Sequence, residues 1–449
     1  MNNEKCGGGV FARLLPEIGR AVSEAGYTTP SPIQEKSIPS LLEGRDMIGC
    51  AQTGTGKTAA FMLPILQFLV KGKRRVVSKK PRVLILAPTR ELAAQIGDSV
   101  DKYGAHTPIT YAVVFGGVGQ NPQVKTMNRG VHVLVATPGR LIDLVNQGHI
   151  DLSGVEIFVL DEADHMLDMG FIHDIKKVIA KLPKKRQSLF YSATMQAPVV
   201  KLSRSLIQNP VHVTIKAEQP AVERIIQKVM FVDKKNKNKL ILDVFSNKEL
   251  DRVLVFTQMK HVANRVCQTL VKQGIRAATI HGNKSQTART RALADFKSGK
   301  VQALVATDIA ARGIDVDSIS HVINYDMPVE PETYVHRIGR TARAGADGDA
   351  ISFCSAAERS YLNEIQKLIR IDIPVDLEHA FHCEQSMNAK GASAKAPSKQ
   401  KRPSSSSSRR RKTSAASEGR SGQPSGKKRP PRSRKRQSRS RRAGSSGSV

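Results

Sequence analysis

The sequence predicts an α/β protein with two successive parallel sheets. Short apolar runs alternate with helical segments of about 10–15 residues, which is the pattern of βαβ units. The alternation occurs twice, once on each side of a segment that contains Pro210 and Pro220. Beyond about His382 the apolar periodicity is lost, and Ser, Arg, Lys, Pro and Gly dominate. We therefore expect two α/β domains followed by a disordered basic tail.

The apolar runs set the predicted strands in chain order. The first series is Asp46–Cys50, Val83–Ala87, Ile109–Val114, Val131–Ala136, Ile157–Leu160 and Gln187–Tyr191. The second series is Lys228–Val232, Arg252–Phe256, Ala277–Ile280, Ala303–Ala306, His321–Tyr325 and Asp349–Cys354. The region from Pro210 to Val222 has the composition of a linker. The predicted divisions are an N-terminal segment at 1–35, a first domain at 36–213, a linker at 214–222, a second domain at 223–382 and a disordered tail at 383–449.

The charge of the chain is strongly basic and uneven. The formal net charge of the 449 residues is +32. Residues 384–449 carry 20 Lys and Arg against two acidic residues, a net charge of +18, which leaves +14 for residues 1–383. A basic core with a basic tail indicates a polyanionic partner, most often nucleic acid. The alternative is a solvated basic surface with a tail that binds nothing.

Other features of the composition exclude several classes of protein. The five cysteines are scattered and form no C-x-x-C pair, which indicates reduced thiols rather than a disulfide framework or a zinc site. Residues 1–16 hold no apolar run, so we expect no secretory signal. No apolar run reaches the roughly 18 residues of a membrane span. The chain has no Trp, so no indole is available to stack on bases.

A glycine-rich loop after the first predicted strand is a candidate phosphate-binding site. Its glycines let backbone N–H groups close around phosphate oxygens, Lys57 can reach the β- and γ-phosphates, and the Thr58 hydroxyl can take a place on magnesium. The strict loop pattern has Gly where this chain has Ala51. The strand before the loop and the helix-forming run after it favour a nucleotide site over a chance glycine-rich loop. The loop comprises Ala51, Gln52, Thr53, Gly54, Thr55, Gly56, Lys57 and Thr58.

Three carboxylates follow the predicted strand Ile157–Leu160 within four positions. At the C-terminal end of a parallel strand, Asp161 can hold magnesium through water, and Glu162 can orient or deprotonate an attacking water. An acidic quartet on its own is usually a solvated helix start. Together with the phosphate loop about a hundred residues earlier, it indicates a site for hydrolysis of a nucleoside triphosphate.

With these motifs the chain resembles a DEAD-box RNA helicase of superfamily 2 over about residues 11–380, and within that family it is most similar to the bacterial RhlE-like group. Asp161-Glu162-Ala163-Asp164 matches the family's signature, Gly26–Gln34 its adenine-reading Q motif, and Ser192-Ala193-Thr194 its S-A-T motif. The resemblance implies two tandem RecA-like domains with parallel sheets, ATP and Mg²⁺ as cofactors, and RNA as the partner.

The resemblance also implies roles for individual residues of the nucleotide site. Gln34 hydrogen-bonds the adenine edge, Tyr27 packs on the adenine face, and Thr29 belongs to the same motif. An aromatic residue before the Q motif grips adenine in the family, and Phe11 is the candidate for it here. Ser192 and Thr194 couple hydrolysis to strand separation. Asp164 contacts neighbouring motifs.

Further implied residues lie in the second domain and along an RNA track. Arg340 and Arg343 are three residues apart and share a helix face, and they match the family's arginine fingers, which are worth roughly 10³–10⁵ in rate in other NTPases. His336 links to the first domain, and Asp315, which follows Gly313, touches the ribose. The RNA contacts are Thr89, Arg90, Gly116, Gly117, Thr137 and Arg140 in the first domain, and Thr257, Gly282, Arg289 and Thr307 in the second. Alone, each of these is an ordinary strand-to-helix loop, and only their order favours the functional interpretation.

We expect an RNA-dependent ATPase that separates short RNA duplexes or remodels RNA–protein complexes. The alternatives are a DNA-directed helicase or remodeller and a non-catalytic RNA clamp. We expect the tail to bind RNA without sequence preference, although Lys427–Arg436 also resembles a nuclear localisation run. The RhlE-like core favours a monomer in a bacterial cytoplasm, with ribosome assembly or RNA turnover as the process and ribosomal or RNA-degradation proteins as partners.

Overall fold

The computed structural model describes residues 8–52, 54–207, 209–215, 225–246, 250–311, 316, 319–342 and 348–390. These residues form two α/β lobes, which we call lobe 1 (8–215) and lobe 2 (225–390). Within these ranges every pair of neighbouring strands in the two sheets is parallel, which confirms the predicted fold class. No helix in the described part of the chain is both long and apolar enough to cross a bilayer.

Lobe 1 is a seven-stranded sheet in the order β3-β4-β2-β5-β6-β1-β7. Its strands are β1 Met47–Cys50, β2 Val83–Leu86, β3 Tyr111–Val114, β4 Val133–Ala136, β5 Ile157–Leu160, β6 Gln187–Ser192 and β7 Val211–Thr214. Its helices are α1 Pro16–Glu24, α2 Pro32–Leu42, α3 Lys57–Gly72, α4 Arg90–Gly104, α5 Asn121–Arg129, α6 Pro138–Asn146, α7 Ala163–Asp168, α8 Ile172–Ile179 and α9 Ala197–Leu206.

Lobe 2 is a six-stranded sheet in the order β10-β11-β9-β12-β13-β8. Its strands are β8 Ile225–Phe231, β9 Val253–Thr257, β10 Ala277–Ile280, β11 Ala303–Thr307, β12 His321–Asn324 and β13 Gly348–Cys354. Its helices are α10 Lys237–Ser246, α11 Lys260–Lys272, α12 Gln286–Lys297, α13 Asp308–Ala311, α14 Pro331–Ile338, α15 Arg359–Ile369 and α16 Glu384–Met387.

Both faces of the central strands are buried, which explains their continuous apolar runs. In β2, Val83 and Ile85 enter the core on one face of the sheet, and Leu84 and Leu86 enter the core on the other. Because successive side chains alternate between faces, a fully apolar strand can be covered by helices on both sides. The parallel strands also bring their carboxyl ends, and the loops that follow them, to one edge of each sheet.

Two predicted boundaries are wrong. The residues 211–214 were included in a region with linker composition, but they form β7, which pairs with β1 from Met47–Val211 to Cys50–Thr214. The sequence analysis missed β7 because this short edge strand alternates apolar and polar residues and lacks the continuous apolar run of the central strands. The remainder of the predicted linker, 216–222, lies outside the described residues.

The predicted disordered tail begins too early at 383. Residues 371–390 form a segment, which we call the strap, that lies along β8. Val229 forms a bridge with Val375, and Val232 forms one with His382. The strap then ends in α16, whose Ser386 hydroxyl donates to the Val232 carbonyl at 3.2 Å. Paired backbone orders this part despite its polar composition, and residues 391–449 lie outside the described residues.

A buried charge cluster holds the first helix of lobe 2 to the sheet. The Lys237 ammonium donates to the Tyr325 carbonyl at 2.7 Å, to Glu358 at 2.9 Å and to Asp326 at 3.3 Å. Burial disfavours the charged amine, but the two carboxylates outweigh it and raise the pKa of Lys237. The cation therefore stays charged in the interior and ties α10 to residues after β12 and β13.

We expect Lys237→Met to lower the free energy of unfolding by about 3–5 kcal/mol, because it leaves buried carboxylates without their cation. Urea unfolding of the full chain measures this loss. Lys234→Met, at an exposed position on the adjacent turn, is the control and should change stability little. Equal stability of the two variants would show that the cluster contributes nothing net.

Candidate nucleotide and RNA site

The glycine-rich loop joins β1 to α3 at the carboxyl edge of the lobe 1 sheet. Gly56 precedes the helix with φ of 91°, a left-handed conformation that favours glycine. A side chain there would also collide, because an added Cβ would lie 2.5 Å from the Gln34 amide nitrogen. The Lys57 ammonium is buried and donates to the Ala51 carbonyl at 2.9 Å. The loop is thus closed on itself around the lysine that was predicted to reach phosphates.

The predicted Q motif is attached directly to this loop. The Ser31 N–H donates to the Gln34 side-chain carbonyl at 2.9 Å, which caps α2. The Gln34 amide donates to the Gly56 carbonyl at 3.3 Å, and the Ser31 hydroxyl donates to the Thr55 carbonyl at 2.8 Å. The motif therefore fixes the position of the loop. An adenine contact by Gln34 stays a prediction.

The other predicted adenine residues have different surroundings. The Tyr27 hydroxyl lies 3.0 Å from that of Tyr103 on α4, and the two rings meet edge to face. Thr29 is exposed. Phe11, the candidate to grip adenine, is only 1 % exposed and packs in the core of lobe 1. The Phe11 ring is therefore enclosed by the core and has no open face for adenine in this structure.

Asp161 and Glu162 are both buried at the end of β5. Glu162 has φ of 52°, a left-handed conformation that is unusual outside glycine and occurs at functional sites. Its N–H donates to the Asp161 carboxylate at 3.0 Å, and its own carboxylate lies 3.0 Å from the His165 Nδ1. With this backbone conformation the two adjacent carboxylates have different partners: Asp161 accepts from the Glu162 N–H, and Glu162 contacts the His165 ring.

The electrostatics of the two carboxyls diverge. Burial raises the pKa of Asp161 to about 6, and the Lys57 charge opposes this rise. Burial also disfavours the Glu162 carboxylate, but the hydrogen bond to His165 and the charges of Lys57 and Arg340 outweigh it and lower its pKa. Glu162 is therefore held as an anion, which is the form that can take a proton from water.

The third carboxylate, Asp164 in the first turn of α7, holds the loop after β6. One Asp164 oxygen accepts hydrogen bonds from the Ala193 N–H at 3.1 Å, the Thr194 N–H at 2.9 Å and the Thr194 hydroxyl at 3.1 Å. Ser192 ends β6 and is fully buried. A displacement at the acidic residues would therefore move the S-A-T segment with it.

Lobe 2 contributes side chains to the same centre. The His336 ring on α14 lies 5.1 Å from the His165 ring, in an edge-to-face arrangement. Arg340 is buried and close enough for its charge to lower the pKa of Glu162. The two predicted residues from lobe 2 are thus brought to the acidic residues of lobe 1. The predicted residues Thr53, Gly313, Asp315 and Arg343 lie outside the described residues.

Arg337 is a structural residue of this centre that the sequence analysis did not single out. It is buried and pairs with Asp308 of α13, with a nitrogen–oxygen distance of 2.9 Å. It also donates to the Asn324 side chain at 3.0 Å and lies over the Phe256 ring. These bonds fix α14, which carries His336 and ends two residues before Arg340. Arg337 stands between His336 and Ile338 in an arginine-rich run, and the sequence does not distinguish its structural role from the roles predicted for the other arginines.

The predicted RNA residues of lobe 1 cluster at the ends of β2, β3 and β4. The Arg90 guanidinium lies against Gly117, where any side chain would collide with it. Arg140 donates to the Val118 carbonyl at 3.2 Å. Burial and the charges of Arg289 and Arg140 lower the pKa of Arg90, so three guanidinium groups share one region. Thr89 caps α4, Thr137 precedes α6, and Gly116 precedes Gly117 in the loop after β3.

The predicted RNA residues of lobe 2 also lie at carboxyl ends of strands, and one of them has a protein partner. Thr257 ends β9, Thr307 ends β11, and Gly282 follows β10. Arg289 is buried and donates to Glu91 of lobe 1 at 2.8 Å. Gln286, one helical turn earlier, donates to the other oxygen of the same carboxylate at 3.1 Å. RNA contacts by these residues stay predictions.

Glu91 is therefore the second residue that the sequence analysis missed. It directly follows Thr89 and Arg90, which were predicted to contact RNA phosphates, a role that a carboxylate cannot serve. A buried carboxylate beside an RNA track needs a cation of its own. That mismatch between charge and supposed role is the signal that could have identified Glu91 as a contact between lobes.

The fold and this shared centre define the chain as a two-lobed P-loop NTPase of the helicase type. The family model described as DEAD/DEAH box helicase matches residues 31–202, and that of the helicase conserved C-terminal domain matches 236–345. Together with its curated relatives, these matches show that the chain belongs to the DEAD-box family of ATP-dependent RNA helicases. The predicted family is confirmed.

The relatives include bacterial enzymes and solved structures. The DEAD-box ATP-dependent RNA helicase CshA of Geobacillus kaustophilus is 40% identical over 376 residues, which are 83% of this chain and 79% of the relative. CshA of Bacillus cereus is 38% identical over 382 residues, 84% of this chain and 72% of the relative. The structure of S. cerevisiae Dbp5 bound to RNA and ADP BeF3 is similar, with a TM-score of 0.72 and 32% identity, covering 81% of this chain and 94% of that one. Two tandem RecA-like domains are thereby confirmed, and the RhlE-like grouping stays a prediction.

We expect the Glu91–Arg289 pair to support RNA-stimulated ATP hydrolysis by holding the lobes together. Glu91→Ala and Arg289→Ala should each reduce kcat/KM for RNA, and a double-mutant cycle should give a coupling of about 1–3 kcal/mol. Arg291→Ala is the control, because Arg291 is on the same helix with its side chain 84 % exposed. Additive effects of the two changes would show that the pair is not coupled in the active state.

Proposed function

We propose that the enzyme hydrolyses ATP only when its lobes close on a single RNA strand, and that closure separates short RNA duplexes or remodels RNA–protein complexes. The observation that carries this proposal is the environment of Glu162, whose carboxylate meets His165 of its own lobe and the charge of Arg340 from the other lobe. A hydrolytic centre assembled from two lobes depends on whatever favours their closure.

The side chains divide the work at this centre. Lys57 and the loop N–H groups hold the phosphates of ATP, and Glu162 accepts a hydrogen bond from the attacking water. Arg340 meets the negative charge that develops on the transferred phosphoryl group. Asp164 transmits movement of these residues to Thr194. We assign Arg343 the same role as Arg340 and Asp315 a ribose contact, from the family pattern alone.

The oxygen donors at this centre suit Mg²⁺. Thr58 begins α3 beside the lysine of the loop, and Asp161 offers a buried carboxylate, which are hard oxygen ligands that leave room for water and phosphate oxygens. Magnesium would neutralise phosphate charge there. The raised pKa of Asp161 means that a proton competes for the carboxylate as pH falls towards about 6.

We infer that RNA binds along the carboxyl edges of both sheets through its backbone. Arg90 and Arg140 of lobe 1 supply cations, and backbone N–H groups at helix starts supply donors without sequence preference. A strand held by both lobes favours closure, which bends it and opens a neighbouring duplex. We further propose that the protein acts as a monomer in the cytoplasm, in ribosome assembly or RNA turnover. The bacterial source of several relatives favours the bacterial setting of this proposal.

RNA-stimulated ATPase activity tests the mechanism. We expect Lys57→Ala and Glu162→Gln each to lower kcat by about 10²-fold or more, because each removes a group that acts on the reacting phosphate or water. Lys272→Ala, at an exposed position, should retain full activity. Activity that is indifferent to RNA, or equal stimulation by a matched DNA strand, would contradict the proposed substrate.

The basic tail should act as a tether that raises the local concentration of RNA. Because residues 383–390 belong to the folded lobe, the deletion that isolates the tail removes 391–449. We expect this deletion to raise the RNA concentration for half-maximal ATPase activity and to flatten its dependence on salt, with maximal activity retained. An unchanged RNA requirement would mean that the tail does not contribute to RNA binding.

A further inference from the structure

A cavity of about 600 Å³ lies on lobe 1 at the amino-terminal edge of its sheet. Ile157 and Gln187, which begin β5 and β6, form one wall of it. The nucleotide residues follow the opposite ends of the same strands, roughly 15 Å away at about 3.3 Å per residue. The cavity is therefore separate from the hydrolytic centre and from the predicted RNA track. Its apolar floor comprises Leu41, Leu42, Pro64 and Phe68.

The rim of this cavity carries an excess of positive charge. Lys71, Arg74, Lys185 and Arg186 line it, against one carboxylate, Glu156. That carboxylate is already engaged by Arg74 at 3.2 Å and by Arg82 at 2.6 Å. The two lysines consequently face the cavity without a carboxylate among its lining residues to balance them. Such a rim fits an anion.

The Phe68 ring and the Arg82 and Arg186 guanidinium groups indicate which kind of anion fits this cavity. The Phe68 side chain is apolar and large, yet 37 % exposed, and the Arg82 guanidinium lies 5.2 Å from its ring centroid. An exposed aromatic ring beside cations is the arrangement that holds single-stranded nucleic acid, with bases on the ring and phosphates on the cations. In addition, Arg186 Nε is buried and has no hydrogen-bond partner among the described residues.

We propose that this cavity is an accessory site for a segment of single-stranded RNA, outside the track between the lobes. The proposal rests on the proposed function, because it concerns the same substrate. The cationic surface continues beyond the cavity through exposed Lys73, Arg75 and Lys184, which suits a continuing polyanion better than a single carboxylate. The chain's own tail is excluded as the occupant, since it is itself strongly basic.

The test compares binding of two oligouridylates to the full chain, one of about 8 nucleotides and one of about 30. Lys71→Glu with Lys185→Glu should weaken binding of the long strand roughly tenfold or more and reduce the slope of log affinity against log salt by about 1, because each single-strand phosphate contact contributes about 0.7. Stimulation of ATPase activity by the short strand, which fills only the track, should not change. Phe68→Ala should weaken binding of the long strand by about fivefold or more.

The matched control reverses the charge of two exposed lysines of lobe 2, Lys272→Glu with Lys300→Glu, and changes the net charge by the same amount. If both double variants bind the long strand equally well, the accessory site is overturned. Loss of binding to a glutamate-rich peptide with retained RNA binding would also overturn it and assign the cavity to acidic protein segments. Failure of the short strand to stimulate the wild-type enzyme would contradict the proposed function alone, because the comparison of long-strand binding still reports on the cavity.

Discussion

Glu162 is a buried carboxylate whose charge is stabilised by residues of both lobes. The contact between the lobes at this centre depends on that stabilisation. Burying an anion is costly unless it is paired and hydrogen-bonded. His165 supplies the bond within lobe 1, while Lys57 and Arg340 supply the charges. Opening the lobes would remove the arginine and leave the carboxylate with fewer partners. Glu162 therefore favours the closed arrangement of the lobes.

The residues that anchor the centre are not those predicted to perform the chemistry. Arg337 fixes α14 against Asp308 and Asn324, so that its neighbours reach across to lobe 1. Glu91 accepts a hydrogen bond from Arg289 beside the residues predicted to contact RNA. Both connections therefore support the same closed arrangement of the lobes, through which the proposed function couples nucleotide to RNA.

The sequence predicted the chemistry better than the boundaries. Long apolar strands and the loop around Lys57 were recognisable because their patterns are local. Strand β7 was missed because its order comes from pairing with β1, and residues 383–390 were assigned to the tail because their order comes from β8. The role of Glu91 was hidden for the same reason, since its partner lies about 200 residues away. Properties that arise from distant contacts leave little trace in a local pattern.

The strap has a consequence for solubility. Strand β8 lies at the edge of the lobe 2 sheet. An uncovered edge strand offers free N–H and C=O groups to other chains. The strap occupies those groups: the Val229 N–H donates to the Pro374 carbonyl at 2.9 Å, and the Cys383 N–H donates to the Phe231 carbonyl at 3.0 Å. The strap thus guards the sheet against edge-to-edge aggregation, independently of any part in catalysis.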